Sequence, residues 1–429
     1  MKKAVIVSER SRSYECYKDS GVAWLGEIPE HWEVKKFKFV LNQSKGLTIT
    51  KQNLISKGIF CVNYGEIHSK FGFELDTSKN KLKCVNKEHL ITNPNSLLNK
   101  GDFVFADTSE DIEGSGNFTH LKSSDRTFAG YHTVIARPKI EIVSLFLAFV
   151  FDSTSFRNQI RKEVKGVKVF SITQSVLKET SIWVPPLPEQ TKIALFLDDK
   201  TTKIDDAIAI KAQQIDLLKE RKQILIHKAV TRGLDDSVKL KDSGVEWIGE
   251  IPEHWEVKAL KFISNLQSGE FISSEDFKLE GYPVYGGNGF RAYSENYTNE
   301  GLYALIGRQG ALCGNVNYAE GKFYATEHAV VVYPINKEDT LWLGETIKVA
   351  NFNRLSQSAA QPGIAVGVIK NERFPYPPLS EQKEISTYIE TVSQKIETAI
   401  GLKQQEIEKL KEYKSSLINS VVTGKVKVF

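Results

Sequence analysis

Residues 18–35 read KDSGVAWLGEIPEHWEVK, and residues 241–258 read KDSGVEWIGEIPEHWEVK. The two segments, here called the GEIPEHW elements, differ at only two of 18 positions. A second motif follows each of them, because PPLPEQ occupies residues 185–190 and PPLSEQ occupies residues 377–382. The chain is therefore an internal duplication in which each half contains a GEIPEHW element, a variable segment and a charged segment that begins at PPLxEQ.

The charged segments have the hydrophobic spacing of a coiled coil. Apolar residues recur at intervals of four and three, and lysine interrupts both series at the same two positions. The apolar positions of this seam are Ile204, Ile208, Ile215, Leu218, Leu225, Ile396, Ile400, Ile407, Leu410 and Leu417. Each helix could pack on its own domain instead, but two matched series in one chain favour helices that pack on each other. We expect antiparallel pairing, which carries the variable segments to opposite ends, whereas parallel pairing would place both at one end.

The variable segments mix short β-rich runs with Gly/Asn turns and short helical stretches. The pattern predicts an α+β chain in which two domains of mixed α/β structure are separated by two long helices. We expect an N-terminal extension over residues 1–16, domains over 17–185 and 236–377, a central helix over 186–235 and a C-terminal helix over 378–429. Outside a loose echo between FAGYHTVIARP and YATEHAVVVYP, the variable segments share almost no alignable identity.

Composition and motifs exclude several classes of protein. A hydrophobic content of 41% and a charged content of 26% are typical of a soluble globular protein, and the four cysteines form no C-x-x-C pair. Residues 314–323 and 93–96 depart from the phosphate-binding and amino-methylating motifs that they approach. We therefore expect a cytoplasmic protein, not a membrane protein, with no catalytic, metal-binding or cofactor-binding residues. His31 and His254, which recur in both GEIPEHW elements, are expected to be structural.

The duplication, the GEIPEHW elements, the PPLxEQ helix openings and the endings VTRG (230–233) and VTG (422–424) resemble the specificity subunits of type I restriction-modification systems. The resemblance covers nearly the whole chain. It implies two target recognition domains that each read one half of a bipartite sequence in double-stranded DNA, and helices that set the gap and dock methyltransferase subunits, in two copies. It also implies that S-adenosylmethionine and ATP with Mg²⁺ bind to the methyltransferase and restriction/translocase partners. The alternatives are a coiled-coil interaction scaffold without DNA readout and a self-sufficient enzyme.

DNA readout needs phosphate contacts for register and a few side chains on base edges for specificity. Candidate residues in the first domain are Lys45, Thr48, Tyr64, Thr108, Tyr131, His132, Lys165 and Lys168. Candidates in the second domain are Tyr285, Asn288, Arg291, Arg308, Gln309 and Gln357. The GRQG string at residues 307–310 is the best single candidate, although a tight turn with a solvated arginine would have the same sequence. The run that contains Lys165 and Lys168 could equally be an ordinary exposed loop.

The charge balance differs between the two domains. Residues 17–185 carry 23 Lys and Arg against 18 Asp and Glu, whereas residues 240–378 carry 12 against 17. Phosphate neutralisation supplies most non-specific affinity for DNA, so a net acidic domain is a poor DNA binder by charge alone. We expect the second domain to cluster its cations on one face near Arg308 or to depend on partner subunits.

Overall fold

The computed structural model describes residues 13–22, 24–166, 168–310, 312–356 and 363–429. The chain folds into two units, each with its own core. Unit 1 contains the described residues up to Ile210 together with Glu406–Phe429, and unit 2 contains the described residues of Lys211–Gln405. Both units combine sheets with helices, as the α+β class predicts. The domain bounds expected from the sequence stay a prediction.

The strands of unit 1 are β1 (Tyr17–Asp19), β2 (Glu27–Pro29), β3 (Glu33–Lys36), β4 (Leu41–Lys45), β5 (Ile59–Val62), β6 (Phe73–Leu75), β7 (Lys83–Val85), β8 (Leu97–Leu98), β9 (Phe103–Ala106), β10 (Thr108–Ser109), β11 (Phe118–Leu121), β12 (Thr127–Ala129), β13 (Thr133–Pro138), β14 (Phe170–Ser171) and β15 (Ser181–Val184). Its shorter helices are α1 (Phe37–Val40), α2 (Tyr64–Ser69), α3 (His89–Thr92), α4 (Ser144–Asp152), α5 (Thr154–Glu163) and α6 (Gln174–Glu179). The long helix α7 (Leu187–Arg232) follows.

The strands of unit 2 are β16 (Leu240–Asp242), β17 (Glu250–Pro252), β18 (Glu256–Ala259), β19 (Ser264–Ser268), β20 (Tyr282–Gly286), β21 (Gly289–Ser294), β22 (Asn299–Glu300), β23 (Tyr303–Gly307), β24 (Val316–Ala319), β25 (Lys322–Ala325), β26 (Ala329–Pro334) and β27 (Arg373–Tyr376). Its shorter helices are α8 (Thr340–Val349) and α9 (Val366–Ile369). The second long helix, α10 (Leu379–Val422), ends shortly before the C-terminus.

A five-stranded sheet with the order β4-β13-β9-β11-β6 forms the centre of unit 1. Because side chains alternate between the faces of a strand, β9 contributes Phe103 and Phe105 to one face and Val104 to the other. The first face packs against α4, whose residues from Phe146 to Phe151 are all buried. A second sheet, β7-β5-β12-β8, covers the other face of this central sheet. The middle strands are therefore buried on both faces.

Unit 2 repeats this arrangement with fewer strands. The sheet β19-β26-β23-β24 corresponds to β4-β13-β9-β11, and β20 and β25 are parallel neighbours as β5 and β12 are in unit 1. Helix α8 packs on its sheet through Trp342, Leu343 and Ile347, which belong to one hydrophobic core with β23 and β26. The two variable segments therefore share one fold in spite of their different sequences.

The repeated motifs hold each GEIPEHW element to the start of a long helix. In unit 1, Trp32 is fully buried and its Nε1 donates to Oε2 of Glu189 at 3.1 Å, while Nε2 of His31 lies 2.6 Å from Oε1 of the same carboxylate. In unit 2, Trp255 donates to Glu381 at 2.8 Å, and His254 lies 2.7 Å from that carboxylate. The geometry agrees with the structural role expected for the two histidines.

The glutamine of each PPLxEQ motif satisfies backbone groups inside the core. Gln190 accepts from the amide of Val143, at the start of α4, and donates to the carbonyl of Pro185. Gln382 makes the corresponding bonds to the amide of Asp339, at the start of α8, and to the carbonyl of Pro377. Both glutamine side chains are almost completely buried, so their bonds are made away from water.

The long helices run antiparallel within each unit. In unit 1, Ile193 near the start of α7 shares a core with Val421 near the end of α10, and Lys414 binds Asp205 at 2.7 Å farther along. In unit 2, Ile385 near the start of α10 shares a core with Ala229 near the end of α7. Lys222 of α7 there binds Glu397 of α10 at 2.7 Å. The antiparallel coiled coil predicted from the sequence is confirmed.

Burial along both helices follows the predicted seam. Ile204, Ile215, Ile396 and Ile407 are buried, and the other predicted apolar seam positions, Ile208, Leu218, Leu225, Ile400, Leu410 and Leu417, are half-buried. Lysines at seam positions keep their ammonium groups at the edge, where Lys222 and Lys414 reach carboxylates on the other helix. Lys222 and Lys414, which interrupt the apolar series, therefore form ion pairs between the two helices.

Gly424, just after the end of α10, occupies a position that cannot accommodate a side chain. Gly424 has a φ of +74°, and a Cβ atom there would lie 2.3 Å from Cδ of Pro29. We expect Gly424→Ala to lower the free energy of unfolding by about 2 kcal/mol or more, because it combines backbone strain with overlap. Chemical denaturation measures this change.

Gly401, in the interior of the same helix, is the matched control. A Cβ atom at Gly401 would meet nothing within 4 Å. Gly401→Ala should raise the free energy of unfolding by about 0.5–1 kcal/mol through helix propensity. Equal destabilisation by both substitutions would contradict the close packing of the helix end on the GEIPEHW element.

Candidate nucleic-acid interface

A polar cleft of about 540 Å³ in unit 1 brings together residues that the sequence singled out. It lies between the end of β4, the start of β13 and the segment before α6. Lys45, Thr48, Tyr131 and His132 line it, together with the hydroxyl-bearing residues Ser171, Thr173 and Ser175. Candidates from two separate parts of the sequence therefore share one concave surface with donors and acceptors suited to a nucleic acid.

A cluster of three aromatic rings connects this cleft with a second one. The ring of Tyr64 lies 5.7 Å from that of Tyr131 and 5.2 Å from that of His132. Burial raises the pKa of Tyr131 above its usual value, so its hydroxyl stays protonated and able to donate at neutral pH. Tyr64 and Thr108 line the second cleft, of about 410 Å³. The cluster is partly exposed and presents both ring faces and polar groups.

The basic run lies beside the second cleft. Lys165 and Lys168 are exposed, and Lys165 forms an isolated bridge with Ser171 across the loop. Val169 of the same loop lines the cleft that contains Thr108. Val167 lies outside the described residues. The structure thus places all the candidates of the first domain around two neighbouring clefts.

His132 has an unusual backbone conformation at the mouth of the first cleft. Its φ is +54°, in the left-handed region, and its Nδ1 lies 3.2 Å from Oδ1 of Asp107. The amide of Asp107 donates in turn to the carbonyl of His132 at 3.0 Å. Asp107 opens the candidate string Asp107-Thr108-Ser109, in which the sequence points to Thr108 as the contact. Its contact with His132 depends on the pairing of β9 with β13, which no local pattern specified.

A chain of hydrogen bonds that the sequence did not indicate supports Thr108. Nε2 of His68 lies 2.8 Å from the carbonyl oxygen of Thr108, and Nδ1 of His68 lies 2.8 Å from the amide nitrogen of Asn117. The side-chain oxygen of Asn117 accepts from Arg157 at 2.6 Å, and Arg157 also binds Asp152. The arginine orients the amide of Asn117, which then donates to Nδ1 and leaves Nε2 of His68 to donate to Thr108. These residues position β10.

Two glycine-containing loops of unit 2 touch backbone to backbone. The loop between β20 and β21 contains Gly287, and the GRQG string begins at Gly307. A Cβ atom on Gly307 would lie 1.9 Å from the carbonyl oxygen of Gly287, so no other residue fits there. Tyr285, Asn288, Arg308 and Gln309 are therefore held near one another.

Arg308 is anchored without being fully paired. Its Nη1 donates to Oγ of Ser268 at 3.1 Å, and its Nε is buried and has no hydrogen-bond partner among the described residues. Gln309 is exposed and bridges to Gly363 through the backbone. Nη1 is thus fixed by Ser268, while the N–H group of Nε is left unsatisfied inside the protein.

The other described candidates of unit 2 make contacts of their own. Asn288 is exposed and accepts from Asn315 at 3.4 Å, and Tyr285 packs its ring edge-on against Phe323. Arg291 is exposed and lies 5.7 Å from the centre of the Phe277 ring. Gln357 lies outside the described residues.

Within the described part of the chain, no group of three or more His, Cys, Asp or Glu residues could hold a metal ion. A helix that combines the length and the apolar character of a membrane span is likewise absent from those residues.

Comparison with known proteins gives the family. The family model described as the type I restriction modification DNA specificity domain matches residues 29–220 and 252–411. The chain belongs to this family, whose members are the DNA-recognition subunits of type I restriction-modification enzymes and are not catalytic themselves. The resemblance found in the sequence is confirmed, and the scaffold alternative is not favoured.

Two relatives are named as specificity subunits of type I restriction enzymes. The type I restriction enzyme EcoprrI specificity subunit of Escherichia coli is 38% identical over 146 residues, which are 33% of this chain and 35% of that protein. The putative type I restriction enzyme MjaX specificity subunit of Methanocaldococcus jannaschii is 27% identical over 439 residues, or 94% of this chain and 96% of that protein. The first match spans about a third of its relative, whereas the second spans nearly all of it.

Two solved structures share the fold. A chain from a structure that concerns complex assembly and conformational transition of the type I R-M system has a TM-score of 0.70 and 17% identity, covering 92% of this chain and 98% of that chain. The HsdS subunit from Thermoanaerobacter tengcongensis has a TM-score of 0.53 and 18% identity, covering 93% and 98%. At such identities the likeness concerns the fold alone.

The hydrogen bonds of Asn117 predict a cost for its removal. Asn117→Ala leaves Nδ1 of His68 and Nη1 of Arg157 without their partner, so we expect the free energy of unfolding to fall by about 1–3 kcal/mol. Asn315 is the control, because its carbonyl accepts from β23 as that of Asn117 accepts from β9. Asn315→Ala should cost less than about 0.5 kcal/mol. Denaturant unfolding that gave equal losses would refute the support of β10 by this chain of bonds.

Proposed function

We propose that the cleft of unit 1 and the two crossed loops of unit 2 each read one half of a bipartite sequence in double-stranded DNA. The supporting observation is that described candidates from separate parts of each variable segment come together, around two neighbouring clefts in unit 1 and around the crossed loops in unit 2, while the motifs that hold the fold are the same in both. A constant scaffold with two different polar surfaces is suited to reading two different half-sites. Lys45, Thr48, Tyr64, Thr108, Tyr131, His132, Lys165 and Lys168 are the proposed contacts of the first half-site. Tyr285, Asn288, Arg291, Arg308, Gln309 and Gln357 are those of the second.

The division of the chain follows from this proposal. The recognition domains occupy residues 17–185 and 236–377, the spacer helices 186–235 and 378–429, and the extension 1–16. The helices set the number of unspecified base pairs between the half-sites and dock two methyltransferase subunits. The restriction/translocase subunits join through the complex, and S-adenosylmethionine and ATP with Mg²⁺ bind to these partners. The complex acts on DNA in the cytoplasm.

Charge indicates different contributions from the two domains. The first domain has an excess of five positive charges, and the second has an equal excess of negative charges. The second domain should therefore bind DNA chiefly through fixed donors such as Arg308 and through its attachment to the rest of the complex, because phosphate attraction is weak there. We expect a local concentration of cations around Arg308.

Methylome sequencing of cells that express this chain with its cognate methyltransferase tests the proposal. A split motif with a fixed gap is the expected result. If an assembled complex that has been verified by purification produced no motif, DNA readout would be refuted, and a protein-binding scaffold would replace it.

Arg308→Ala should relax the preference at one base pair of one half-site. An arginine that binds guanine O6 and N7 contributes about 1–3 kcal/mol of discrimination, and the substitution removes both donors. The methylome of the variant should show one degenerate position, with the other half-site unchanged. Ser268→Ala, which keeps the arginine and removes its anchor, is the graded control and should have a smaller effect. An unchanged motif in Arg308→Ala would exclude this arginine as a reader.

The spacer role predicts an effect of helix length. Insertion of one heptad into both α7 and α10, within the seam, preserves its phase and lengthens it by about 10 Å, which corresponds to about 3 base pairs. The methylated motif should keep both half-sites and widen its gap accordingly. Insertion into one helix alone disrupts the pairing and should abolish methylation. A gap that stayed the same after the paired insertions would be incompatible with the spacer role.

A further inference from the structure

Asp107 in unit 1 and Arg308 in unit 2 occupy the same position of the shared fold. Each follows directly on a central strand, β9 or β23. The amide of Asp107 donates to the carbonyl of His132 at 3.0 Å, and the amide of Arg308 donates to the carbonyl of His328 at 3.0 Å. Both histidines immediately precede the strand that pairs with the central one. The two positions are thus equivalent on their amide side.

The carbonyl side shows the same equivalence. The carbonyl of Asp107 accepts from the amide of Ile172 at 2.7 Å, and that of Arg308 accepts from the amide of Ile364 at 2.9 Å. Each residue is therefore held between two backbone partners, one on either side, by the same pattern of bonds. The fold therefore fixes the backbone at this position but does not restrict the type of side chain.

The neighbouring outer strand also has equivalent positions with different chemistry. Lys45 ends β4 opposite Val134, and Ser268 ends β19 opposite Val330. Ser268 is the residue that anchors Arg308, and Lys45 lines the same cleft as Asp107. Unit 1 therefore combines a cation on the outer strand with an acid after the central strand, whereas unit 2 combines a hydroxyl with an arginine.

We propose that Asp107 is a specificity-determining residue of the first half-site, where it accepts a hydrogen bond from an exocyclic amino group of a base, cytosine N4 or adenine N6. In this role Asp107 corresponds to Arg308, which is proposed to bind guanine in the second half-site. The inference rests on the proposed function, because it assigns base chemistry to a surface proposed to read DNA.

The chemistry of a carboxylate at this position points to a base and not to a phosphate. An ionised carboxylate only accepts hydrogen bonds and is repelled by phosphate, whereas exocyclic amino groups in the major groove only donate. The side chain of Asp107 is about one-third exposed, and Nδ1 of His132 engages Oδ1. Among the described residues Oδ2 has no hydrogen-bond partner. Lys45 in the same cleft offsets the acid's repulsion of the DNA backbone.

Asp107→Ala tests this assignment, because it removes both carboxylate oxygens and leaves no acceptor for an exocyclic amino group. The methylome of cells that express the variant with its methyltransferase should show one base pair of one half-site become degenerate, with discrimination reduced by about 5- to 150-fold. The second half-site should be unchanged, which shows in the same experiment that the variant folds and assembles. Arg308→Ala should give the reciprocal pattern. If Asp107→Ala left the whole motif unchanged, or relaxed the half-site that Arg308→Ala relaxes, the assignment would be wrong.

His132→Asn separates readout by the carboxylate from an indirect effect through the imidazole. Asparagine tolerates the left-handed conformation found at His132, so the backbone around Asp107 is preserved. We expect this variant to lower the affinity for DNA, because His132 is itself a proposed contact, but to keep the base preference at the position that Asp107→Ala relaxes. The same relaxation in both variants would assign readout to the histidine and overturn the proposal for Asp107.

A change in the DNA avoids any effect on folding. Once the base is known, oligonucleotides that carry 2-pyrimidinone for cytosine, or purine for adenine, lack its exocyclic amino group. The purified complex should bind the analogue about 5-fold or more weakly than normal DNA, and the Asp107→Ala complex should bind both alike. An equal loss of binding to the analogue in the wild-type and variant complexes would overturn the role of Asp107 but not the proposed function. A wild-type complex without any split motif would refute the proposed function itself.

Discussion

One carboxylate in each unit connects the GEIPEHW element to the start of a long helix. Glu189 accepts from the buried indole of Trp32, and Glu381 accepts from that of Trp255. A buried indole N–H without an acceptor costs about 1–3 kcal/mol, so the tryptophan and the glutamate must be present together. Because each partner lies in a different repeated motif, the bond explains why both motifs recur almost unchanged while the residues between them differ.

The same arrangement explains how two unlike domains can share one scaffold. In unit 1, β15 returns from the variable segment to pair with β3, and in unit 2, β27 returns to pair with β18. Each variable segment therefore begins and ends at one small antiparallel sheet beside the helix start. Substitutions, insertions and deletions within the segment leave this base intact, as the shorter second segment shows. Specificity can change in such a protein without a change in the helices or their seam.

Features that depend on local periodicity were predicted from the sequence, whereas features that depend on the pairing of strands distant in the sequence were not. The seam from Ile204 to Leu225 repeats every seven residues, and this regularity is visible in one dimension. Lys45 and His132 were named as separate candidates, but their convergence depends on the pairing of β4 and β9 with β13. His68 was missed for the same reason, because it has no motif of its own, and Asp107 entered only as the residue before the candidate Thr108. The faint echo between FAGYHTVIARP and YATEHAVVVYP was the only sequence sign of the shared fold, and it contains both His132 and His328.

Opposite charges at equivalent positions bear on the acidic balance of the second domain. Whole-domain charge governs non-specific attraction to DNA, but base readout depends on a few groups that the fold holds in place. Unit 1 has the basic surplus and an acid after its central strand, and unit 2 has the acidic surplus and Arg308 at that position. Under the proposed function, attraction and readout are therefore carried by different residues in the two domains. A net acidic domain can read DNA when its fixed arginine supplies the specific contact and the rest of the complex supplies the attraction.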